Sequence, residues 1–232
     1  MLKINEIFGP TIQGEGKNIG KPCMFIRTAG CNLQCTWCDS KYAWDFSKDS
    51  PYDPKKEIKD MTATQIYQEL YELAPYVKHI VITGGEPLLQ QMAMIPLLTI
   101  LRENGYTIEI ETNGTLEPSI ELCRLVEQFN CSPKLKHSGN TQAIVDDALR
   151  RFADIRDCYF KFVVCNDEDM SEVLDLVNFY NIPSHRVYLM ALGKTQRELA
   201  ITSDRVVKMC AKHQFLFSPR AHIDLWGSKR GV

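Results

Sequence analysis

Short apolar runs alternating with helical stretches constrain this 232-residue chain more than any other feature. The runs are Cys23–Thr28, His79–Thr83, Thr107–Glu111, a short strand and turn at 130–134, Tyr159–Val164 and Val187–Ala191, with a last short strand at 215–217. Between them, Thr62-Ala63-Thr64-Gln65 forms a capping box ahead of Ile66, Tyr67, Leu70 and Leu73 at helical spacing. Further helices are predicted over 89–104 with Gly105 as its stop, over 119–129, 141–152 and 202–212, and from the Asn166-Asp167 cap toward Tyr180. Strands and helices in this order imply a parallel sheet with covering helices. About six strands is fewer than the eight of a closed barrel, so the expectation is an α/β fold, a partial (open) TIM-type barrel. Ligands in such folds sit at the carboxyl ends of the strands. Those ends hold Arg27, Thr83-Gly84-Gly85-Glu86, Glu111-Thr112-Asn113, Ser132-Pro133-Lys134 and Met190-Ala191.

The remaining segments add little regular structure. Residues 6–16 carry too many glycines for a regular element and read as a turn that could hold Gln13 and Glu15 near the same mouth. Residues 41–60, with two prolines and many charges, read as an exposed insertion without obvious chemistry. The whole of 1–232 is expected to be one domain, and an apolar content of 44% suffices for its core. Met1–Glu6 lacks the apolar stretch of a secretory signal, so a cytoplasmic location is expected. The longest uncharged apolar stretch, 88–101, is shorter than the about 20 residues a bilayer span requires, so no membrane partner is expected. A net charge of −2 with both signs mixed argues against a nucleic-acid surface and leaves a small molecule as the ligand class.

The chemistry is concentrated in Cys31-Asn32-Leu33-Gln34-Cys35-Thr36-Trp37-Cys38, whose thiols are spaced C-x3-C-x2-C. Soft thiolates suit iron–sulfur clusters, zinc or copper, and three of them leave one iron of a cubane open to a small molecule. Structural zinc is the alternative, but it uses paired Cys-x2-Cys knuckles and the chain has no second pair. Nine cysteines is an odd number, and the six outside the loop are scattered through apolar or helical contexts, as expected of reduced thiols. Cys23 opens an apolar run and reads as a buried small hydrophobe. Arg27 could equally be a carboxylate-binding fork or an exposed cation at a strand end.

The cysteine spacing, Trp37 before the third cysteine, and Gly84-Gly85-Glu86-Pro87 together resemble the radical S-adenosylmethionine (SAM) superfamily. Both termini and most strand ends are similar to one family within it, the 7-carboxy-7-deazaguanine synthases (QueE). The likeness is carried by residues 6–16, by Arg27–Leu33, by Cys38-Asp39-Ser40, by Glu111–Thr115, by Ser132-Pro133-Lys134 and by the ending Trp226–Val232. The resemblance implies a radical SAM core with Cys31, Cys35 and Cys38 on a [4Fe–4S] cluster. SAM would be contacted by Trp37, Cys38, Asp39, Gly85, Thr112, Ser132, Pro133, Lys134, Met190, Ala191, Leu192 and Gly193. The implied substrate, 6-carboxy-5,6,7,8-tetrahydropterin, would be held by Ile12, Gln13, Gly14, Glu15, Arg27 on its carboxylate, Thr83, His222 and the terminal carboxylate of Val232. Residues 219–232 would therefore fold into the active site. Ser40 stands where the family more often places a threonine that binds Mg2+, keeping the oxygen but losing a methyl group. The implied reaction abstracts hydrogen from C6 of the pterin, contracts the ring and releases ammonia, with SAM regenerated. A homodimer and an electron donor such as flavodoxin are further implied. An activase that makes a glycyl radical on a partner enzyme is the alternative within the superfamily.

Overall fold

The computed structural model describes all 232 residues. In chain order the elements are β1 (Leu2–Ile12), β2 (Pro22–Thr28), α1 (Pro54–Glu57), β3 (Lys59–Met61), α2 (Ala63–Leu73), β4 (His79–Gly84), α3 (Gln91–Glu103), β5 (Thr107–Thr112) and α4 (Ile120–Leu125). There follow β6 (Gln128–Cys131), α5 (Asp146–Asp154), β7 (Cys158–Val164), α6 (Asp167–Phe179), β8 (Val187–Ala191), α7 (Gln196–His213), β9 (Leu216–Ser218) and α8 (Ala221–Trp226). All strands join one nine-stranded sheet in the order β3-β1-β2-β4-β5-β6-β7-β8-β9. From β2 onward every pairing is parallel, and the sheet does not close on itself. This is the expected open barrel, lengthened at one edge by β9 and at the other by two antiparallel strands.

Alternation along each strand separates two interiors. Ile80, Ile82, Ile108, Ile110, Phe129, Phe160, Phe162 and Leu189 are fully buried against the helices, each worth about 1.5–3 kcal/mol. The residues between them face the barrel axis and are largely polar: His79, Glu109, Gln128, Asn130 and Lys161 are all buried. Closed barrels usually fill this space with branched apolar side chains. Here a segment running from Gln13 to Asn18 plugs it and satisfies the polar groups. The fully buried Glu109 carboxylate accepts from Gln13 Nε2 at 2.5 Å, Asn18 Nδ2 at 2.6 Å and Asn130 Nδ2 at 2.5 Å, and it meets His79 Nε2 at 3.2 Å. Such a group is tolerable only when every lone pair is met.

Several expectations need correction. Residues 6–16 are not all turn, because β1 extends for 11 residues through Gly9-Pro10. The register with β2 slips between Phe8 and Thr11, so the glycine, at φ +134°, and the proline occupy a bulge that the strand survives. The helix expected over 119–129 ends at Leu125, since Gln128 pairs with Glu109 and the following residues join the sheet. The 141–152 helix starts only at Asp146, and the 202–212 helix begins earlier, at Gln196, where Thr195 accepts from the Glu198 amide. Residues 41–60 are not simply an exposed insertion. Ala43 is buried, Tyr42, Trp44 and Tyr52 line the central cavity, and β3 begins at Lys59 to pair with β1. The capping box at Thr62 and Gln65 is formed on both sides, as predicted.

Candidate active site

One cavity of about 520 Å³ opens at the carboxyl ends of the strands. Its first wall is the cysteine loop that follows β2. The loop is pinned by Gly30 N donating to Ala43 O at 2.8 Å and Thr36 N donating to Ser138 O at 3.0 Å. Each sulfur has a nitrogen donor: Leu33 N lies 3.4 Å from Cys31 Sγ, Asn140 Nδ2 lies 3.2 Å from Cys35 Sγ, and Trp44 Nε1 lies 3.2 Å from Cys38 Sγ. No disulfide forms, and no three His, Cys, Asp or Glu side chains gather around the position of a single ion. Burial pushes the Cys31 thiol up to about 11, and burial also raises Cys35 against the pull of Lys134 and Asn140. Three soft donors facing a shared space, short of a fourth and already supplied with N–H groups, fit a cubane cluster with one open corner.

The turn after β4 abuts this loop so closely that only glycine fits. A Cβ on Gly85 would overlap the Gly30 carbonyl oxygen. The adjoining Glu86 is fully buried and acts as a brace, accepting from Leu88 N at 3.0 Å, Thr112 Oγ1 at 2.8 Å and Asn113 N at 2.6 Å. Burial raises its carboxyl despite these bonds. Along the same wall Lys134 Nζ donates to Ser132 Oγ at 2.7 Å and lies 5.7 Å from the Trp37 ring centroid. Trp37, Asp39, Gly85, Thr112, Ser132, Lys134, Met190, Leu192 and Gly193 all line the cavity. Pro133 and Ala191 do not; Ala191 is buried behind the wall on the helix side. Ser40 lies on the cavity edge with its Oγ 3.6 Å from Cys38 Sγ.

The opposite wall holds the charged groups. Arg27 donates through Nε to Glu6 Oε1 at 2.7 Å and lies 5.6 Å from the Tyr42 ring centroid, while its two terminal nitrogens have no partner in the chain. Glu15 receives Lys161 Nζ on one oxygen at 2.7 Å and Arg220 Nε on the other at 3.1 Å. Burial alone would raise the Glu15 carboxyl, but Lys161, Arg220 and His222 outweigh it and hold it well below the usual carboxylate range. Burial likewise opposes the Lys161 charge, and Glu111 and Glu15 overcome it. Glu111, whose Oε2 lies 2.6 Å from the same ammonium, is pushed up by burial and by Glu109 and Glu15, so it is the less firmly ionised of the two carboxylates. Burial lowers the His222 imidazole, whose Nδ1 stands 3.9 Å from Glu15. Ile12, Gln13, Gly14, Thr83, His222 and Val232 complete this wall.

Sequence reasoning missed Lys161, Arg220, Tyr42 and Trp44 as site residues. A lysine inside the apolar run 159–164 was a usable signal, since only a paired charge is tolerated there. Arg220 gave none, because its partners Glu15, Asp39 and the Gly193 carbonyl lie far away in sequence.

An open parallel barrel with a three-thiol loop after its first parallel strand defines a radical SAM protein, and the profile of the radical SAM superfamily matches residues 25–180. Within that superfamily the chain belongs to the 7-carboxy-7-deazaguanine synthase family. It is 35% identical to the 7-carboxy-7-deazaguanine synthase of Pyrobaculum aerophilum, covering 99% of this chain and 97% of the relative. It is 32% identical to that of Bacillus subtilis, covering 100% and 98%. The crystal structure of QueE from Escherichia coli superposes with a TM-score of 0.74 at 25% identity, covering 95% and 94% of the two chains. Likeness over nearly the full length to synthases leaves the activase alternative without support.

Proposed function

We propose that the chain converts 6-carboxy-5,6,7,8-tetrahydropterin to 7-carboxy-7-deazaguanine with release of ammonia, acting as a carbon–nitrogen lyase in queuosine and 7-deazapurine biosynthesis. One observation carries the reading: the three-thiol loop and the Arg27–Glu15 wall face each other across a single cavity. The [4Fe–4S] cluster and SAM, when bound, supply one-electron cleavage and abstraction of a hydrogen atom from the substrate. Cys31, Cys35 and Cys38 hold the cluster. Trp37, Asp39, Gly85, Thr112, Ser132, Lys134, Met190, Leu192 and Gly193 seat SAM, with Pro133 and Ala191 contributing through the backbone that shapes the strand ends.

The free terminal nitrogens of Arg27 offer a fork to the substrate carboxylate. Glu15, kept ionised by Lys161 and Arg220, retains lone pairs for ring N–H groups of the pterin. The Ile12-Gln13-Gly14 segment, Thr83, His222 and the Val232 carboxylate fix the ring orientation and exclude water. Holding the reacting carbon against the hydrogen acceptor is the main contribution the protein makes to the rate. Mg2+ at Ser40 fits a cation that takes few protein ligands and keeps its waters.

A single domain over 1–232, a cytoplasmic location, a homodimer and a flavodoxin-type electron donor complete the reading; analytical ultracentrifugation and turnover driven by reduced flavodoxin test the last two. The direct test is anaerobic incubation of the reconstituted protein with dithionite, SAM, Mg2+ and 6-carboxytetrahydropterin, followed by mass spectrometry. Formation of 7-carboxy-7-deazaguanine without stoichiometric loss of SAM is expected. SAM cleavage with intact pterin would reject the substrate, and no change in a protein with full iron and sulfide would reject the activity.

A further inference from the structure

The C-terminal tail reaches the cavity on the strength of one side chain. Gly227 through Val232 all line the cavity, yet among residues 228–232 only Arg230 makes a hydrogen bond or an ion pair. Its Nε donates to Glu6 Oε2 at 2.9 Å, and its Nη2 donates to Glu57 Oε2 at 2.7 Å and Asn5 Oδ1 at 3.1 Å. The guanidinium lies 4.0 Å from the Tyr42 ring centroid. Glu6 is therefore divided between two arginines, because its other oxygen takes Arg27 Nε at 2.7 Å and the Tyr42 hydroxyl at 3.3 Å. Both arginines also lie over the same Tyr42 ring.

We propose that Glu6 is a positioning residue that couples loading of Arg27 to closure of the C-terminal tail, with Arg230 as the latch. The coupling, though not the latch, rests on the reading of the cavity as the pterin site. An anion on the free terminal nitrogens of Arg27 holds that side chain in the rotamer that fills Glu6 Oε1. The carboxylate is then fixed in the orientation that presents Oε2 to Arg230. Closure and loading favour each other in both directions, as linkage requires. The tail would be closed most of the time when the site is occupied and would open for product release.

Carboxypeptidase digestion of the intact protein, followed by intact mass, reads the latch without reference to turnover. Release of Val232 from Arg230→Met is expected to be faster by about tenfold, the scale of a lost charge-assisted hydrogen bond. Glu6→Gln, which sets an NH2 group against one arginine, is expected to act in the same direction. The double variant should release Val232 no faster than Arg230→Met alone, because the two residues share one contact. Unchanged release in Arg230→Met with an unchanged circular dichroism spectrum, or additive effects in the double variant, overturns the latch. In the native chain 6-carboxytetrahydropterin is expected to slow release, and Glu6→Gln, which leaves Arg27 and Val232 in place to touch the pterin, to weaken that protection at saturating pterin, undiminished protection overturning the coupling. Pterin that binds in calorimetry but leaves release unchanged overturns the coupling. Pterin that does not bind, in a protein whose tail is still freed by Arg230→Met, rejects the substrate reading and leaves the latch standing.

Discussion

Lys161 is the residue on which the charged wall depends. Its side chain is 3% exposed and serves Glu15 and Glu111 together. Lys161→Met would leave the largely buried Glu111 without a cation and Glu15 with Arg220 alone, and a loss of about 3–5 kcal/mol is expected in urea unfolding, together with loss of pterin binding. The pH dependence follows from the same pair. Glu15 is held below its ordinary value of 4.5, so its contribution is complete above that pH and is lost as pH falls through the lower folded value. Lys161 is held above its ordinary 10.5, so its contribution is complete below that pH and is lost as pH rises through the folded value. Urea midpoints of the native chain should therefore hold their contribution from this pair between pH 4.5 and 10.5, while Lys161→Met keeps across that window only the part of the Glu15 contribution that Arg220 and His222 supply. If Ser40 holds Mg2+ as proposed, Ser40→Ala is expected to raise the Mg2+ concentration for half-maximal turnover about tenfold, and Ser40→Thr to preserve or lower it.

At the scale of elements, the turn after β4 and the cysteine loop form one unit. Gly85→Ala would drive a methyl group into the Gly30 carbonyl, and the displaced loop should bind less iron. Iron and sulfide content after reconstitution, compared with an unchanged far-ultraviolet spectrum, measures this directly. The parallel strands were legible in the sequence because each is a run buried on its helix side, from Ile80 and Ile82 to Leu189. The cysteine loop was legible because its three thiols lie within eight consecutive residues. β1 was hidden by Gly9-Pro10, whose bulge can be recognised only once β2 lies alongside. The short α4 was overestimated because Val126–Phe129 carries helical spacing that pairing with β5 overrides. Tyr42, Trp44 and Tyr52 lay among charges and prolines that dominate local composition, and only the folded chain turns their rings toward the cavity.

At the scale of the whole molecule, the site is assembled from both ends of the chain. Deletion of Gly231 and Val232 is expected to raise the KM for the pterin while SAM affinity, measured by equilibrium dialysis, stays close to native. The plug that fills the barrel comes from residues 13–18, yet it is held from the far end: Gly16 N donates to Ser218 Oγ at 2.8 Å and Ala221 N donates to Gly14 O at 3.0 Å. These partners are separated by more than two hundred positions, as are Arg220 and Glu15. A nascent chain emerging from the ribosome can pair β1 with β2, β2 with β4 and β4 with β5 as soon as they appear, but the 13–18 plug must wait for residues 218–221 before it can settle. The cavity is thus complete only once residues 218–221 have been made. Until then the buried polar groups of β5 to β7 stay wet, and a metallocluster delivered before residue 221 is made would meet a cradle with no floor.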